Sequence, residues 1–140
     1  KKTQGVNEVY GLAHKEMAPV LLHAAAFDPS ISRIALVQPY SSYLSIVTNR
    51  FYKSDFIHGG VPAALEAYDL PDLSASLAPK RLVMAGVTDG ADNNNDTENI
   101  KKDLRVISDA YHNRKADSQL NIIAGNSTKE LENLYKTWIK

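Results

Sequence analysis

A chain of 140 residues is long enough for one domain with a real core, burying roughly two-thirds of the surface that its unfolded form exposes. With 44% hydrophobic and 23% charged residues, and Lys+Arg 16 balancing Asp+Glu 16, it has the composition of a globular protein with no global field to draw nucleic acid or an anionic membrane surface. Cysteine is absent, which excludes disulfides, thiol nucleophiles and thiolate metal sites; no stretch approaches the apolar length that crosses a bilayer, and Lys1-Lys2-Thr3-Gln4 opens no signal peptide.

In chain order, Val6–Ala13 predicts a strand through Val9, Tyr10 and Leu12. Met17–Phe27 has helical spacing, with Met17, Val20, Leu21, Ala24 and Ala25 sharing a face. Pro19 is tolerated only in a first turn, so this helix starts near Glu16 or Met17. Asp28-Pro29-Ser30 ends it, and Arg33–Pro39 is a nearly continuous apolar run, as in a strand buried on both faces of a parallel sheet. Ser42–Phe51 reads as a short helix or part of a lid-like excursion over about residues 41–61, with His58-Gly59-Gly60 as a loop. Pro62–Tyr68 predicts a helix opened by proline and interrupted by Pro71, and Asp72–Leu77 a further turn before Pro79. Arg81–Val87 is another buried strand, ending at Thr88-Asp89-Gly90, and Asp92–Asp96 is a polar loop. Thr97–Lys115 is a long amphipathic helix striped by Ile100, Leu104, Ile107 and Tyr111. Leu120–Ala124 is the last strand. Ser127–Ile139 is the last helix, opened by a capping box of Ser127 with Glu130 and buried through Leu131, Leu134, Tyr135 and Trp138.

This alternation predicts an α/β protein, a parallel sheet with crossover helices in a single domain over residues 1–140. Four strands are few for such a sheet, and the first would have nothing beyond it, so a further N-terminal half is expected. Val9–Asp28 has the layout of a nucleophile elbow, a strand and tight turn running into an Ala-rich helix. Where an attacking serine would stand, the chain reads His14-Lys15-Glu16.

The element order resembles the C-terminal half of the α/β-hydrolase fold, from the elbow strand to the final helix, over nearly all of the chain. EMAPVLLHAAAFDPSISRIALVQPYSSY (16–43) and VPAALEAYDLPDLSASLAPKRLVMAGVTDG (61–90) resemble more narrowly the acetyl xylan esterase-like and dipeptidyl-peptidase-like hydrolases of polysaccharide degradation, most of all in LPDLSASLAPKRL (70–82). Some such proteins resemble tandem arrays in which one unit carries the serine and another has lost it. The resemblance implies a secreted or periplasmic setting. It puts the nucleophile position at Glu16, followed by the small Ala18, with His14 where glycine is usual. It puts the acid at Asp89, and the base in the loop after the last strand, where Gly125-Asn126-Ser127 offers Asn126. An amide cannot take the proton of a hydroxyl, so serine and histidine positions both fail and the triad is broken. From the residues alone, Glu16 is an acid favoured by a helix N-terminus, and Asp89 is half of an Asp-Gly turn pair.

Of the four histidines, His14 and His58 are placed to face a cleft, His23 is a packing or surface residue inside a helix, and His112 suits a helix C-terminus. None has metal-ligand spacing with another. The Asp- and Asn-rich loop from Asp89 to Asp96 offers the oxygen ligands calcium prefers without the EF-hand register, and reads as a solvated turn. Tyr40, Ser41-Ser42-Tyr43, Tyr52 and Phe56 are candidates to line a carbohydrate cleft. No cofactor, metal, nucleic acid or membrane partner is expected. Two functions fit: a degenerate hydrolase unit with a structural or glycan-binding role in a larger polysaccharide-degrading protein, or the C-terminal half of an active serine esterase or peptidase that contributes Asp89. In the first, its partners are the rest of its own polypeptide or a second hydrolase domain, and plant cell-wall carbohydrate.

Overall fold

The computed structural model describes residues 8–94, 97–125 and 127–139. Four strands, β1 (Val9–His14), β2 (Ile31–Val37), β3 (Arg81–Ala85) and β4 (Leu120–Ile123), lie side by side in that order, and every pair is parallel. Parallel neighbours cannot be joined by a tight turn, so each connection carries helix. The helix α1 (Ala18–Phe27) joins β1 to β2, α2 (Tyr43–Val47) and α3 (Leu70–Ser76) lie between β2 and β3, and α4 (Glu98–Asn113) joins β3 to β4. A last helix, α5 (Thr128–Trp138), follows β4. The α/β class and parallel sheet expected of the sequence are therefore present. Of the expected start of β1, Val6 and Asn7 lie outside the described residues, and Glu8 precedes the strand.

The central strands are buried on both sides, which is why they read as unbroken apolar runs. Ile34 and Leu36 of β2 pair with Leu82 and Met84 of β3, and these four join the larger core beneath α1, α3 and α4. Their alternates Ala35, Val83 and Ala85 face the other way, against Leu134 and Trp138 of α5. Small side chains at Ala35 and Ala85 leave room for the indole. The Arg33 guanidinium donates to the Trp138 carbonyl at 2.9 Å and lies 4.5 Å from the centre of the Tyr10 ring.

Three readings of the helices are corrected. The buried face of α1 is Ala18, Pro19, Leu22 and Ala25, whereas Met17 and Val20 are half exposed. In so apolar a helix the periodicity does not single out a face. The rotation is set instead by contact with β1, where Leu21 packs so tightly over Gly11 that a Cβ there would come within 2.4 Å of it. Pro71 opens α3 in its first turn rather than interrupting a helix, since its missing N–H and fixed φ suit that position. The predicted helix over Pro62–Tyr68 shrinks to one 3-10 turn, Ala64–Glu66. His58-Gly59 is likewise not loop but the end of a 3-10 stretch, Ser54–Gly59.

The excursion is anchored from below, because Tyr43, Ile46, Phe56 and Ala64 belong to the main core. Asp69 fixes its two ends. Its carboxylate accepts the backbone N–H groups of Tyr43 at 2.6 Å and Leu44 at 3.1 Å, which open α2, and that of Leu70 at 2.6 Å, which opens α3. Asp72 returns a bond to the Asp69 N–H at 2.9 Å, completing a capping box. One ionised side chain thus satisfies donors at two helix starts. Asp69→Ala is expected to cost about 2 kcal/mol in urea denaturation, and Asp69→Asn less, because the amide keeps one acceptor oxygen.

Candidate functional site at the carboxyl ends of the strands

In an open parallel sheet, the loops beyond the carboxyl ends of the strands form the crevice where ligands bind. Here those ends supply His14 and Lys15 from β1, Gln38 to Ser41 from β2, and Thr88 to Asp92 from β3. Asn126, the residue at the expected base position, lies outside the described residues.

The bend after β1 presents Lys15 rather than Glu16. Lys15 takes a left-handed backbone conformation (φ 49°), and a 3-10 turn, Lys15–Met17, leads into α1. A non-glycine residue held there costs roughly 1 kcal/mol or more and is kept by its surroundings. One surrounding element is Gly59, on which a Cβ would come within 2.8 Å of the Glu16 carbonyl oxygen. Glu16 falls one residue past the bend, and no side chain caps the start of α1.

The Lys15 ammonium reaches across to Asp92, 2.7 Å from Nζ to Oδ2, and the same oxygen takes Lys53 Nζ at 2.8 Å. The three groups come from the end of β1, the excursion and the loop after β3. Burial works to raise the Asp92 carboxyl, but the hydrogen bonds and charges of the two lysines outweigh it and hold the carboxyl below its ordinary value. The bond to Asp92 in turn raises Lys53, against an opposing effect of burial. The other Asp92 oxygen, Oδ1, is buried with no hydrogen-bond partner among the described residues.

Asp89, the expected acid, is occupied by its own loop. Its Oδ1 accepts the N–H groups of Ala91 at 2.8 Å and Asn93 at 2.9 Å, and Oδ2 accepts the Asn93 amide at 3.3 Å. That is an Asx turn. Among the described residues no histidine ring bonds to it. His14 donates from Nε2 to Gln38 Oε1 at 2.9 Å, and His58 is exposed on the 3-10 stretch of the excursion. His23 lies between the Pro19 carbonyl at 2.6 Å and the Tyr68 hydroxyl at 2.7 Å, so Nδ1 carries a proton and the ring packs α1 against the excursion. His112 pairs with Asp117 near the end of α4.

The aromatic side chains proposed as a sugar platform divide. Tyr40 is 2% exposed and stacks on Phe56, which is fully buried, with ring centroids 4.5 Å apart. Its hydroxyl points to the Phe56 carbonyl at 3.4 Å, and burial pushes its pKa well up. These two rings form core, because β2 continues past Val37 through a bridge of Tyr40 with Thr88 and carries Tyr40 inward. Tyr52 remains at the surface.

One further feature was not legible in the sequence: Lys53 sits in an irregular stretch where nothing marks it as a partner of Asp92. Ser41, named above as a cleft-lining candidate, is 4% exposed; its hydroxyl has no hydrogen-bond partner among the described residues, and the residue lines a polar pocket of about 240 Å³ with Asn49, Arg50, Asp89, Thr97 and Asn99. Among the described residues no group of three or more His, Asp or Glu side chains is placed to hold a metal ion, and no helix is long and apolar enough to cross a membrane. Asn95 and Asp96 of the Asp/Asn-rich loop lie outside the described residues, while the carboxylates of Asp89 and Asp92 are turned to different partners.

No family model, curated protein or solved structure matches the chain.

The charge cluster has a definite pH signature. Because Asp92 is held below its ordinary value of 3.8, its contribution to stability is present above that pH and lost as the pH falls through the lower folded value. Lys53, raised above 10.5, contributes below that pH and loses its contribution as the pH rises through the higher folded value. Asp92→Asn is expected to lower the melting temperature at neutral pH, with the deficit shrinking as melts are repeated below about pH 4. A deficit independent of pH would show that packing, not charge, holds the cluster.

Proposed function

We propose that this chain is an α/β-hydrolase-like unit without a working serine–histidine pair, serving as a structural or glycan-binding module of a larger polysaccharide-degrading protein. The observation that carries the reading is the bend after β1. It displays a residue in a left-handed conformation immediately after a parallel strand and before a helix, the place where such a fold mounts its nucleophile. Lys15 occupies that place, and its ammonium is hydrogen-bonded to an ionised carboxylate. The bend therefore offers no serine hydroxyl with which to attack a carbonyl.

The rest of the sheet edge supports this. Asp89 is engaged within its own loop, through three hydrogen bonds to Ala91 and Asn93, and no histidine among the described residues bonds to it. Two features fit a part in a larger assembly: β1 is an outer strand, and Leu12 on its α5-facing side is 46% exposed. A glycan-binding role is supported by the polar pocket beside Asp89. There the unpartnered Ser41 hydroxyl, the Asn49 and Asn99 amides and Arg50 offer the mixed donors and acceptors that sugar hydroxyls require.

A fluorophosphonate probe, which labels activated serines, is expected to leave the chain unlabelled; labelling at Ser41 or any other serine would overturn the catalytic part of the reading. In a titration with xylo-oligosaccharides, backbone amide shifts are expected at Ser41, Asn49 and Asn99 and should weaken several-fold in Arg50→Ala. Shifts absent from that pocket would leave the structural role alone.

A further inference from the structure

The excursion builds a second cavity, and every residue lining it lies between positions 43 and 66. It measures about 370 Å³. Its floor is Tyr43, Ile46, Phe56 and Ala64, all buried in the main core. Its mouth is Val47, Ile57, Val61 and Leu65, all exposed, with Val47 at 67%. Branched aliphatic side chains left in water around a concave apolar floor mark a binding surface, since covering them removes apolar area from water.

The polar groups at this cavity limit what enters. The Tyr43 hydroxyl already donates to the Gly59 carbonyl at 2.9 Å, and burial pushes its pKa up to about 12, so it stays neutral and engaged. The charged side chain in the lining is Glu66, exposed at the rim; no Lys, Arg or His lines the cavity. The nearest ammonium to the floor, that of Lys53, lies 5.5 Å from the Phe56 ring centre and is bonded to Asp92 at 2.8 Å, so a carboxylate or phosphate at the mouth would meet the like charge of Glu66 and no cation in the lining.

Size narrows the class further. An apolar cavity of about 150 Å³ holds a benzene ring, so one of about 370 Å³ has room for a hydrocarbon group of up to roughly fifteen carbons. The buried floor lies below the ring of exposed side chains, so a free small molecule fills the space better than the face of another protein, which would touch only the mouth.

We propose that the cavity between α2 and the 3-10 turn Ala64–Glu66 binds the alkyl or aryl part of a small molecule that carries no negative charge. The inference stands apart from the hydrolase reading, because none of its residues lies at the carboxyl ends of the strands.

The test is a titration of the whole chain with octanol, followed by methyl NMR. Saturable shifts confined to Ile46, Val47, Val61 and Leu65 are expected. Octanoate at neutral pH should bind about threefold to fivefold more weakly, and Glu66→Gln should remove most of that difference. Ala64→Leu, which fills the floor, should abolish the shifts. Val61→Lys, at the mouth, should do so without loading the core, which keeps the test decisive if Ala64→Leu fails to fold. No saturation with octanol, equal binding of octanoate by the unaltered chain, or binding that survives Val61→Lys would overturn the proposal.

Discussion

The structure depends on a pair of strands buried from both sides. β2 and β3 run parallel in register, and alternate side chains along them must find apolar partners in opposite directions. Ile34, Leu36, Leu82 and Met84 are covered by α1, α3 and α4, while Ala35, Val83 and Ala85 are covered by α5. That single requirement sorts the helices into two layers. It also brings the carboxyl ends of β1, β2 and β3 to one edge, where Lys15, Ser41, Asp89 and Asp92 emerge.

At that edge, Asp92 holds three segments that are distant in sequence. Lys15 lies 77 positions away from it and Lys53 39 positions away, yet both ammonium groups bond to one oxygen. The cluster ties the bend after β1 and the excursion to the loop after β3. It is partly shielded from solvent, which makes it stronger than a surface pair, though breaking it would still leave the sheet intact. Electrostatics here supplies a fixed connection rather than reactivity. The two lysines hold the Asp92 carboxyl below its ordinary value, and the left-handed bend at Lys15 is tied through it to the loop after β3.

Much of the architecture was legible in the chain. Apolar runs at 34–37 and 82–85 marked strands buried on both faces; the Ile100, Ile107 and Tyr111 stripe marked α4; and Ser127 with Glu130 marked the start of α5. Local chemistry decides those features. What escaped was set by tertiary contact. The face of α1 was chosen by the gap over Gly11, and Tyr40 was drawn into the core by the bridge that extends β2 toward Thr88. In the candidate site, sequence spacing singled out Asp89, an acid following a strand. The residue that reaches the bend after β1 is Asp92, three positions later, in a left-handed conformation that Asp tolerates better than most residues but that its neighbours in sequence do not mark. At the bend after β1 the left-handed residue is Lys15, and Glu16 follows it within the 3-10 turn.

The proposed role of this edge of the sheet is to brace a larger protein or bind a glycan without turning over esters. The most direct measurement is the initial rate of acetate release from para-nitrophenyl acetate and from acetylated xylo-oligosaccharides over a range of substrate concentrations. The account predicts a rate that does not saturate and is the same for the unaltered chain and for Asp89→Ala. Saturable turnover by the unaltered chain, lost in Asp89→Ala, would contradict it.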